Sequence, residues 1–181
     1  VGLDRADEAQ FRHARQFFEG LNQNHIVIWN DSPRMLALGA RLREMGLAPA
    51  EQGKGKNVWS SIGYLLGCQD SAVMAIHDCD ILTYTNEMLA RLIYPVANPT
   101  FPYQVAKGYY ARIGSNKLNG RVTRLLVSPL LIALKRVIGD RDYLDYLRSF
   151  RYPLSGEFAM RTNILPDLRI PSDWGLEIGV L

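Results

Sequence analysis

The hydrophobic positions of this chain alternate between helical spacing and short continuous apolar runs. Three amphipathic helices are predicted on apolar residues spaced three and four apart: Phe11, Ala14, Phe17, Phe18 and Leu21; Met35, Leu38, Leu42 and Met45; and Val58, Ile62, Leu65 and Leu66. Apolar runs at 25–29 and 72–76 predict buried strands. The order strand, helix, strand, helix, helix, strand is typical of a doubly wound α/β sheet.

Capping residues indicate where these helices begin and end. Asp4 or Asp7 precedes the first helix and can accept its free amide hydrogens. Ser32 followed by Pro33 is a favourable helix start, because proline lacks the amide hydrogen that would be unsatisfied there. Gly46 follows the second helix and predicts its end.

The pattern changes after residue 82. A helix is predicted over 86–94, a strand over 103–113, a helix from Ser128 to Ile138 that Gly139 ends, and a short helical stretch around 143–147. The chain contains no internal repeat, low-complexity tract or linker. We therefore expect a single domain over residues 1–181.

Composition narrows the class of protein. The chain has 181 residues, of which 48% are hydrophobic and 22% charged, with a formal net charge of +3. That length can bury a core, and the charge is too small to indicate a nucleic-acid partner. No apolar run approaches the length of a membrane span, and no signal-peptide pattern is present, so we expect no membrane partner. With only two cysteines a disulfide framework is not expected, which favours a cytoplasmic location.

Both ends of the chain look interrupted. The opening residues 1–4 have the pattern of the last part of a strand, and the closing run 176–181 is apolar with no polar tail. The sequence is therefore interpreted as a fragment or as the ordered part of a longer chain.

Two carboxylates follow the apolar run at 72–76. Asp78 and Asp80 lie one residue apart after this predicted strand, and ligands bind beyond the carboxyl ends of strands in open α/β sheets. Carboxylate oxygens suit a hard divalent cation that carries phosphate oxygens. The alternative is a strand end whose acids cap the next turn. His77 is expected to point away from Asp78 because side chains alternate along a strand, and His13 and His25 are expected to be structural or solvated.

Two basic, glycine-containing segments could bind anions. Gly53-Lys54-Gly55-Lys56 precedes a predicted helix, where backbone amides and a lysine can attract a diphosphate, although the spacing is not that of a P-loop. Asn119-Gly120-Arg121-Val122-Thr123-Arg124 offers two guanidiniums and a hydroxyl for a second phosphate or carboxylate. The alternatives are a flexible basic loop and a basic helix start.

A third acid, Glu157, follows the turn Pro153-Leu154-Ser155-Gly156. We expect an exposed carboxylate there that can accept hydrogen bonds from sugar hydroxyls. The alternative is a turn followed by a solvated glutamate. No nucleophile elbow and no cysteine–histidine pair with an orienting group is present in the sequence.

Taken in order, these segments resemble the glucosyl-3-phosphoglycerate synthases, which are retaining glycosyltransferases with a GT-A nucleotide-sugar fold. The segments that carry the resemblance are Gly53-Lys54-Gly55 with Trp59, Asp78-Cys79-Asp80, Lys107-Gly108-Tyr109-Tyr110-Ala111-Arg112, Gly120-Arg121-Val122-Thr123, Pro153-Leu154-Ser155-Gly156-Glu157 and Trp174-Gly175-Leu176-Glu177-Ile178-Gly179. The implied fold is α/β, with a mixed and mainly parallel central sheet. Against the family pattern, we expect this chain to lack the first strand and the C-terminal part of that fold. Residues 1–80 would form the half that binds the nucleotide sugar, and residues 81–181 the half that binds the acceptor.

The resemblance also implies a reaction, which is transfer of glucose from UDP-glucose to 3-phosphoglycerate with retention. Mg²⁺ or Mn²⁺ is the implied cofactor and a homodimer the implied assembly. The family's metal-binding histidine would lie beyond residue 181. Alternatives are a mannosyl-3-phosphoglycerate synthase that uses GDP-mannose, a nucleotidyltransferase, and a non-catalytic domain that binds nucleotide sugars.

Roles for individual residues follow from the same resemblance. Asp80 would hold the metal ion and, with Glu157, act in catalysis. The donor would be bound by Lys54, Asp78, Asp80 and Glu157. The acceptor would be bound by Gly120, Arg121, Val122 and Thr123.

Overall fold

The computed structural model describes residues 1–47, 53–110, 113–114, 117–118, 121–172 and 175–181. The α-helices are α1 (Glu8–Glu19), α2 (Pro33–Glu44), α3 (Lys54–Cys68), α4 (Asn86–Ala97), α5 (Ser128–Ile138), α6 (Asp142–Ser149) and α7 (Leu176–Gly179). A π-helical segment at Thr123–Val127 leads into α5, and a 3-10 helix spans Thr162–Asp167. The strands are β1 (Gly2–Leu3), β2 (Ile28–Trp29), β3 (Val73–Ile76), β4 (Val105–Lys107), β5 (Ile113–Gly114), β6 (Lys117–Leu118) and β7 (Phe158–Arg161).

The chain forms two compact units. The first contains Val1–Asp70 and Leu168–Val180, and the second contains Ser71–Asp167 and Leu181. The boundaries of these units differ from those of the halves 1–80 and 81–181. The first stretch of the first unit ends at Asp70, and the segment 168–180 belongs to the same unit. The single domain stays a prediction.

A short parallel strand pair organises the first unit. β1 and β2 pair in parallel with Gly2 opposite Ile28, and the Trp29 indole nitrogen donates to the Ala6 carbonyl oxygen at 2.8 Å. The Phe11 ring stacks on Trp29 with centroids 5.0 Å apart, which joins α1 to this pair. Helix α3 contributes the buried Val58 and Ile62, so its predicted apolar face is confirmed.

Helix ends follow the capping residues in the sequence. Asp7 begins α1 with a reciprocal capping box to Gln10, and the Ser32 hydroxyl accepts the Met35 amide hydrogen at 3.3 Å at the start of α2. Gly139 follows α5 with a φ of 81°, in the left-handed region that glycine tolerates. The predictions of these three helix ends are confirmed.

The second unit is built around β7. This strand lies between β3 and β4 and pairs antiparallel with both, so that Ala159 is opposite Ala75 on one side and Ala106 on the other. Phe158, Ala159 and Met160 have no exposed surface, and Leu92 and Val96 of α4 pack in this core. The four residues of β7 were not predicted as a strand.

Helices α5 and α6 form a smaller hydrophobic cluster in the same unit. Leu131 of α5 packs with Leu144 and Leu147 of α6. At the edge of this cluster the Lys135 ammonium lies 2.7 Å from Asp145 and 3.0 Å from Asp140. These ion pairs join the end of α5 to α6.

One local prediction was wrong. The strand predicted over 103–113 is interrupted: β4 ends at Lys107, where the ladder with β7 also ends, and Ile113–Gly114 belongs to a separate two-residue pair with β6.

The helix predicted on Met35, Leu38, Leu42 and Met45 is present as α2. Its apolar face is partly covered, since Met35 and Leu42 are half-buried, whereas Leu38 is 49% exposed and Met45 is 60% exposed.

The α/β class is confirmed, and strand pairing is mixed. β1 and β2 pair in parallel, whereas β7 pairs antiparallel with β3 and with β4, and β5 pairs antiparallel with β6. Antiparallel pairs therefore outnumber parallel ones in the described part of the chain. None of the described helices combines the length and the hydropathy needed to cross a bilayer.

Candidate functional site

The acidic pair lies where β3 leaves its sheet. The ladder between β3 and β7 ends at Ile76 opposite Phe158, so Asp78 and Asp80 follow in the turn beyond the strand. Asp78 is half-buried and Asp80 is exposed. The placement at the carboxyl end of a strand is the one that the sequence predicted.

Asp80 fits a divalent cation as one ligand among several. Within the described ranges, no group of three histidine, cysteine or acidic residues is arranged to hold a metal ion. Mg²⁺ commonly binds through one or two carboxylates and takes its other ligands from water and substrate phosphates. An exposed carboxylate at a strand end meets that requirement.

Glu157 is buried, not exposed as predicted. Only 2% of its surface is accessible, because the turn 153–157 that precedes β7 folds into the core of the second unit. The Tyr110 hydroxyl donates to Glu157 Oε1 at 3.1 Å, and the Glu157 amide donates to Ser155 Oγ at 3.3 Å. Oε2 is enclosed and has no hydrogen-bond partner among the described residues.

Gly108 allows the chain to pass close to Glu157. Its amide donates to the Glu157 carbonyl oxygen at 2.8 Å, and a Cβ built on Gly108 would lie 3.2 Å from Glu157 Cβ and 3.5 Å from Oε2. A side chain at this position would therefore be tight against the Glu157 Cβ and in van der Waals contact with its carboxylate. The glycine in Lys107-Gly108-Tyr109-Tyr110 keeps the space beside Glu157 open.

A cleft of about 350 Å³ opens beside this carboxylate. Its wall includes His77, Arg91, Lys107, Gly108, Tyr110 and Glu157, among other residues of the second unit. The Lys107 ammonium donates to the Pro153 carbonyl oxygen at 2.8 Å and lies 5.4 Å from the centroid of the Phe158 ring. Among the described residues that line the cleft, neither Asp78 nor Asp80 appears.

His77 is a residue of this cleft that sequence reasoning missed. It directly follows β3, its ring meets the Tyr84 ring edge-to-face at 5.1 Å, and both ring nitrogens are enclosed without a described partner. Burial lowers the pKa of His77, while the charges of Glu157 and Asp78 raise it and offset part of that effect. Strand alternation indicated that His77 points away from Asp78, but nothing in the sequence indicated that it shares a cleft with Glu157.

Lys54 begins α3 in the first unit. Its ammonium lies 3.1 Å from Glu177 Oε1 of α7, and both side chains are largely buried. The Lys56 amide donates to the Ser172 carbonyl oxygen at 3.0 Å. A Cβ on Gly55 would lie 1.7 Å from the Pro171 carbonyl oxygen, so the basic glycine segment is in close contact with the chain at 171–172.

The predicted acceptor residues begin a helical run. Arg121 and Val122 are exposed in the helical turn that leads into the π-helical segment and then α5. Thr123 is half-buried, and its hydroxyl oxygen is enclosed with no partner in the described part of the chain. Amides at the start of a helix are a favourable place for an anion.

Comparison with known proteins gives one consistent result. The chain is 45% identical over 181 residues to a glucosyl-3-phosphoglycerate synthase of Persephonella marina, a match that covers 100% of this chain and 45% of the relative. It is 41% identical over 184 residues to a glucosyl-3-phosphoglycerate synthase of Methanococcoides burtonii, again covering 100% of this chain and 45% of the relative. The chain is a homologue of the glucosyl-3-phosphoglycerate synthases. The resemblance inferred from the ordered segments is thereby confirmed.

Solved structures of a glucosyl-3-phosphoglycerate synthase confirm the GT-A fold prediction. The Mycobacterium tuberculosis protein in complex with Mn²⁺, UDP-glucose and phosphoglyceric acid matches with a TM-score of 0.54 and 26% identity, covering 86% of this chain and 49% of that one. The same protein in complex with Mg²⁺ and UDP matches with a TM-score of 0.53. No protein-family model matches. The chain spans about half the length of the synthases that it matches.

Several residues of the segments that carry the resemblance to these synthases lie outside the described residues. They include Gly120, which was predicted to bind the acceptor, and also Ala111, Arg112 and Trp174. The described structure brings Glu157 together with Lys107, Gly108 and Tyr110 of another such segment. It likewise joins Lys54 to Glu177, which belongs to the last of them.

Proposed function

We propose that this chain carries the glucosyl transfer of a glucosyl-3-phosphoglycerate synthase, from UDP-glucose to 3-phosphoglycerate. The observation that carries the proposal is the 45% identity to the Persephonella marina synthase over all 181 residues. The complex of the Mycobacterium tuberculosis protein with Mn²⁺, UDP-glucose and phosphoglyceric acid supports the choice of donor and acceptor. Asp80 lies in the turn that follows β3, and Glu157 directly precedes β7, which pairs with β3; these positions are consistent with the proposal.

Asp80 is the residue that we assign to the metal ion, with Asp78 beside it on the donor. A bound Mg²⁺ or Mn²⁺ supplies positive charge against the diphosphate. The proposed role of Lys54 is to contact the donor with its ammonium group. The ion pair with Glu177 orients this ammonium group. The exposure of Asp80 supports its assignment, because a ligand can reach the carboxylate without opening the core.

Glu157 is assigned to the glucosyl group of the donor. Its Oε1 already accepts the Tyr110 hydroxyl, and its enclosed Oε2 retains the capacity to accept a sugar hydroxyl. A carboxylate that is held in this way is oriented before substrate binds. Because the Glu157 carboxylate is already oriented, it is suited to bind a hydroxyl group of the reacting sugar.

Arg121, Val122 and Thr123, with Gly120, are assigned to the acceptor. The Arg121 guanidinium can form a bidentate contact with a phosphate or carboxylate, and backbone amides at the helix start add neutral donors. The exposure of Arg121 and Val122 supports access to a small anionic acceptor.

We infer a front-face course for the reaction. The acceptor hydroxyl oxygen forms a bond to the anomeric carbon while the bond from that carbon to the diphosphate oxygen breaks, and the hydroxyl proton passes to the leaving diphosphate. Glu157 is not assigned a nucleophilic role. Detection of a covalent glycosyl adduct on Glu157 would contradict this course.

The cellular setting and the assembly are also proposals. The free thiols of Cys68 and Cys79 are both exposed, which is consistent with a reducing cytoplasm. A homodimer, with the halves 1–80 and 81–181 serving donor and acceptor, stays a prediction. Sedimentation of the purified chain would measure its oligomeric state.

The direct test is product analysis. The purified 181-residue chain is incubated with UDP-glucose, 3-phosphoglycerate and Mg²⁺, and products are identified by mass spectrometry. We expect UDP and glucosyl-3-phosphoglycerate, and neither without metal. Faster turnover of GDP-mannose would overturn the choice of donor, and release of pyrophosphate from a nucleoside triphosphate would indicate a nucleotidyltransferase instead. Binding of UDP-glucose without turnover would indicate a non-catalytic domain.

A further inference from the structure

Two residues that line one cleft carry three enclosed polar atoms without partners. They are Nδ1 and Nε2 of His77 and Oε2 of Glu157, and none of them has a hydrogen-bond partner among the described residues. Glu157 is 98% buried, as its exposed fraction is 2%. The two side chains come from sequence positions 80 residues apart, and the antiparallel ladder that pairs Ile76 with Phe158 brings their backbones side by side.

Unpartnered polar atoms of this kind are unusual in a folded protein. A buried donor or acceptor loses its contacts with water and destabilises the fold unless another group replaces them. The Tyr84 ring packs edge-to-face with the imidazole at 5.1 Å between centroids but makes no hydrogen bond to its nitrogens. A cleft that holds such atoms is suited to a ligand that supplies the missing donors and acceptors.

The hydrogen-bonding capacity of His77 and Glu157 favours a ligand that carries hydroxyl groups. An ionised carboxylate only accepts hydrogen bonds, whereas a neutral imidazole has one donor and one acceptor nitrogen. A hydroxyl group can donate to Glu157 and accept from His77 at the same time. A phosphate would suit the histidine but would repel the carboxylate.

We propose that His77 is a further sugar-binding residue, which together with Glu157 binds hydroxyl groups of the donor's glucosyl moiety in the cleft beside Gly108. This inference rests on the proposed function and adds to it a residue that contacts the sugar. The cleft of about 350 Å³ lies within the range of small-molecule pockets, about 300–1,000 Å³.

The position of His77 along the chain is compatible with a donor whose diphosphate reaches Asp80. The two residues are three positions apart, and three residues of extended chain span at most about 11 Å. A nucleotide sugar can therefore place its phosphates at one end of this short segment and its sugar at the other.

The test compares UDP-glucose with UDP, which lacks the glucosyl group and carries more negative charge on its terminal phosphate. Calorimetric titrations with each ligand, both with Mg²⁺, give two dissociation constants for every variant. The change in their ratio between wild type and variant isolates the contact of residue 77 with the glucosyl group. His77→Phe keeps an aromatic ring against Tyr84 and removes both nitrogens, His77→Asn keeps a donor and an acceptor, and Tyr84→Phe is the matched control that leaves the nitrogens in place.

We expect His77→Phe to weaken UDP-glucose about tenfold, the effect of losing roughly one hydrogen bond to a neutral group, and to leave the affinity for UDP unchanged. His77→Asn should recover part of the loss, and Tyr84→Phe should behave like the wild type. The melting temperature of His77→Phe should not fall, since its nitrogens make no hydrogen bond within the described chain. A purely structural role predicts the opposite, a lower melting temperature and equal losses for both ligands.

Other outcomes separate this inference from the proposed function. If the wild type binds UDP-glucose more tightly than UDP and His77→Phe changes neither constant, the inference about His77 is refuted and the proposed function stands. Equal weakening of both ligands also refutes the sugar contact. If the wild type binds neither ligand, the proposed function fails and the inference fails with it.

Discussion

Gly55 offers a stability prediction with a matched control in the same helix. Substitution by alanine would place its Cβ 1.7 Å from the carbonyl oxygen and 2.8 Å from the carbonyl carbon of Pro171. These are backbone atoms, so no side-chain rotation relieves the clash. The atoms would have to separate by roughly 1.3 Å merely to reach 3.0 Å, which shifts either the start of α3 or the segment 171–172.

The expected magnitude follows from two opposing terms. Alanine in place of glycine within a helix normally stabilises a protein by about 0.5–1 kcal/mol. Overpacking a filled site costs about 1–3 kcal/mol and more when backbone must move. Because the overpacking cost is the larger of the two, we expect Gly55→Ala to lower the free energy of unfolding by about 1–2 kcal/mol, or the melting temperature by roughly 2–8 °C for a chain of this size.

Gly63 provides the control. It lies in the same helix α3, and a Cβ built there has no atom within 4 Å. Gly63→Ala should raise the free energy of unfolding by about 0.5–1 kcal/mol. Urea titrations of both variants, followed by circular dichroism, measure the two changes. Equal effects of the two substitutions, or a stabilised Gly55→Ala, would refute the close contact with Pro171.

Three further predictions concern the site and its surroundings. Asp80→Asn should abolish metal-dependent glucosyl transfer without lowering the melting temperature, while the neighbouring Cys79→Ser retains activity; an Asp80 variant with wild-type rates would remove this residue from the metal site. Arg121→Ala should weaken 3-phosphoglycerate by about 2 kcal/mol, more than tenfold, with UDP-glucose unaffected in calorimetry, and equal weakening of both would mean that the guanidinium does not contact the acceptor. The hydrogen bond from Lys135 lowers the pKa of Asp145 in the folded state, so its contribution to stability is present above about pH 4, the unfolded pKa, and disappears as pH falls through the folded pKa. Asp145→Asn should therefore be less stable than the wild type at pH 7 and approach it in strong acid in urea titrations, whereas a pH-independent difference would contradict the assignment.

Local signals in the sequence predicted the helices well. Asp7, the Ser32-Pro33 pair and Gly139 act through hydrogen bonds and backbone angles within a few residues, so their effect is visible in the sequence alone. The same holds for the acidic pair, because its place after an apolar run determines that it lies beyond a strand. These features depend little on the rest of the fold.

Features that depend on distant pairing could not be predicted. β7 has only four residues, and its strand conformation comes from hydrogen bonding on both sides to β3 and β4, which lie far from it in the sequence. The burial of Glu157 follows from the same insertion, so an acid after a glycine turn looked solvated in the sequence. His77 shares a cleft with Glu157 for this reason alone, and no local pattern indicates that contact.

A crystal of the chain grown with UDP-glucose and Mn²⁺ would show whether Asp80 binds the metal ion that holds the diphosphate. The anomalous signal of manganese locates the ion independently of the protein coordinates. We expect a manganese peak within about 2.2 Å of an Asp80 carboxylate oxygen, with the diphosphate bound to the same ion. An ordered nucleotide whose metal ion lies elsewhere, with Asp80 free in solvent, would contradict it.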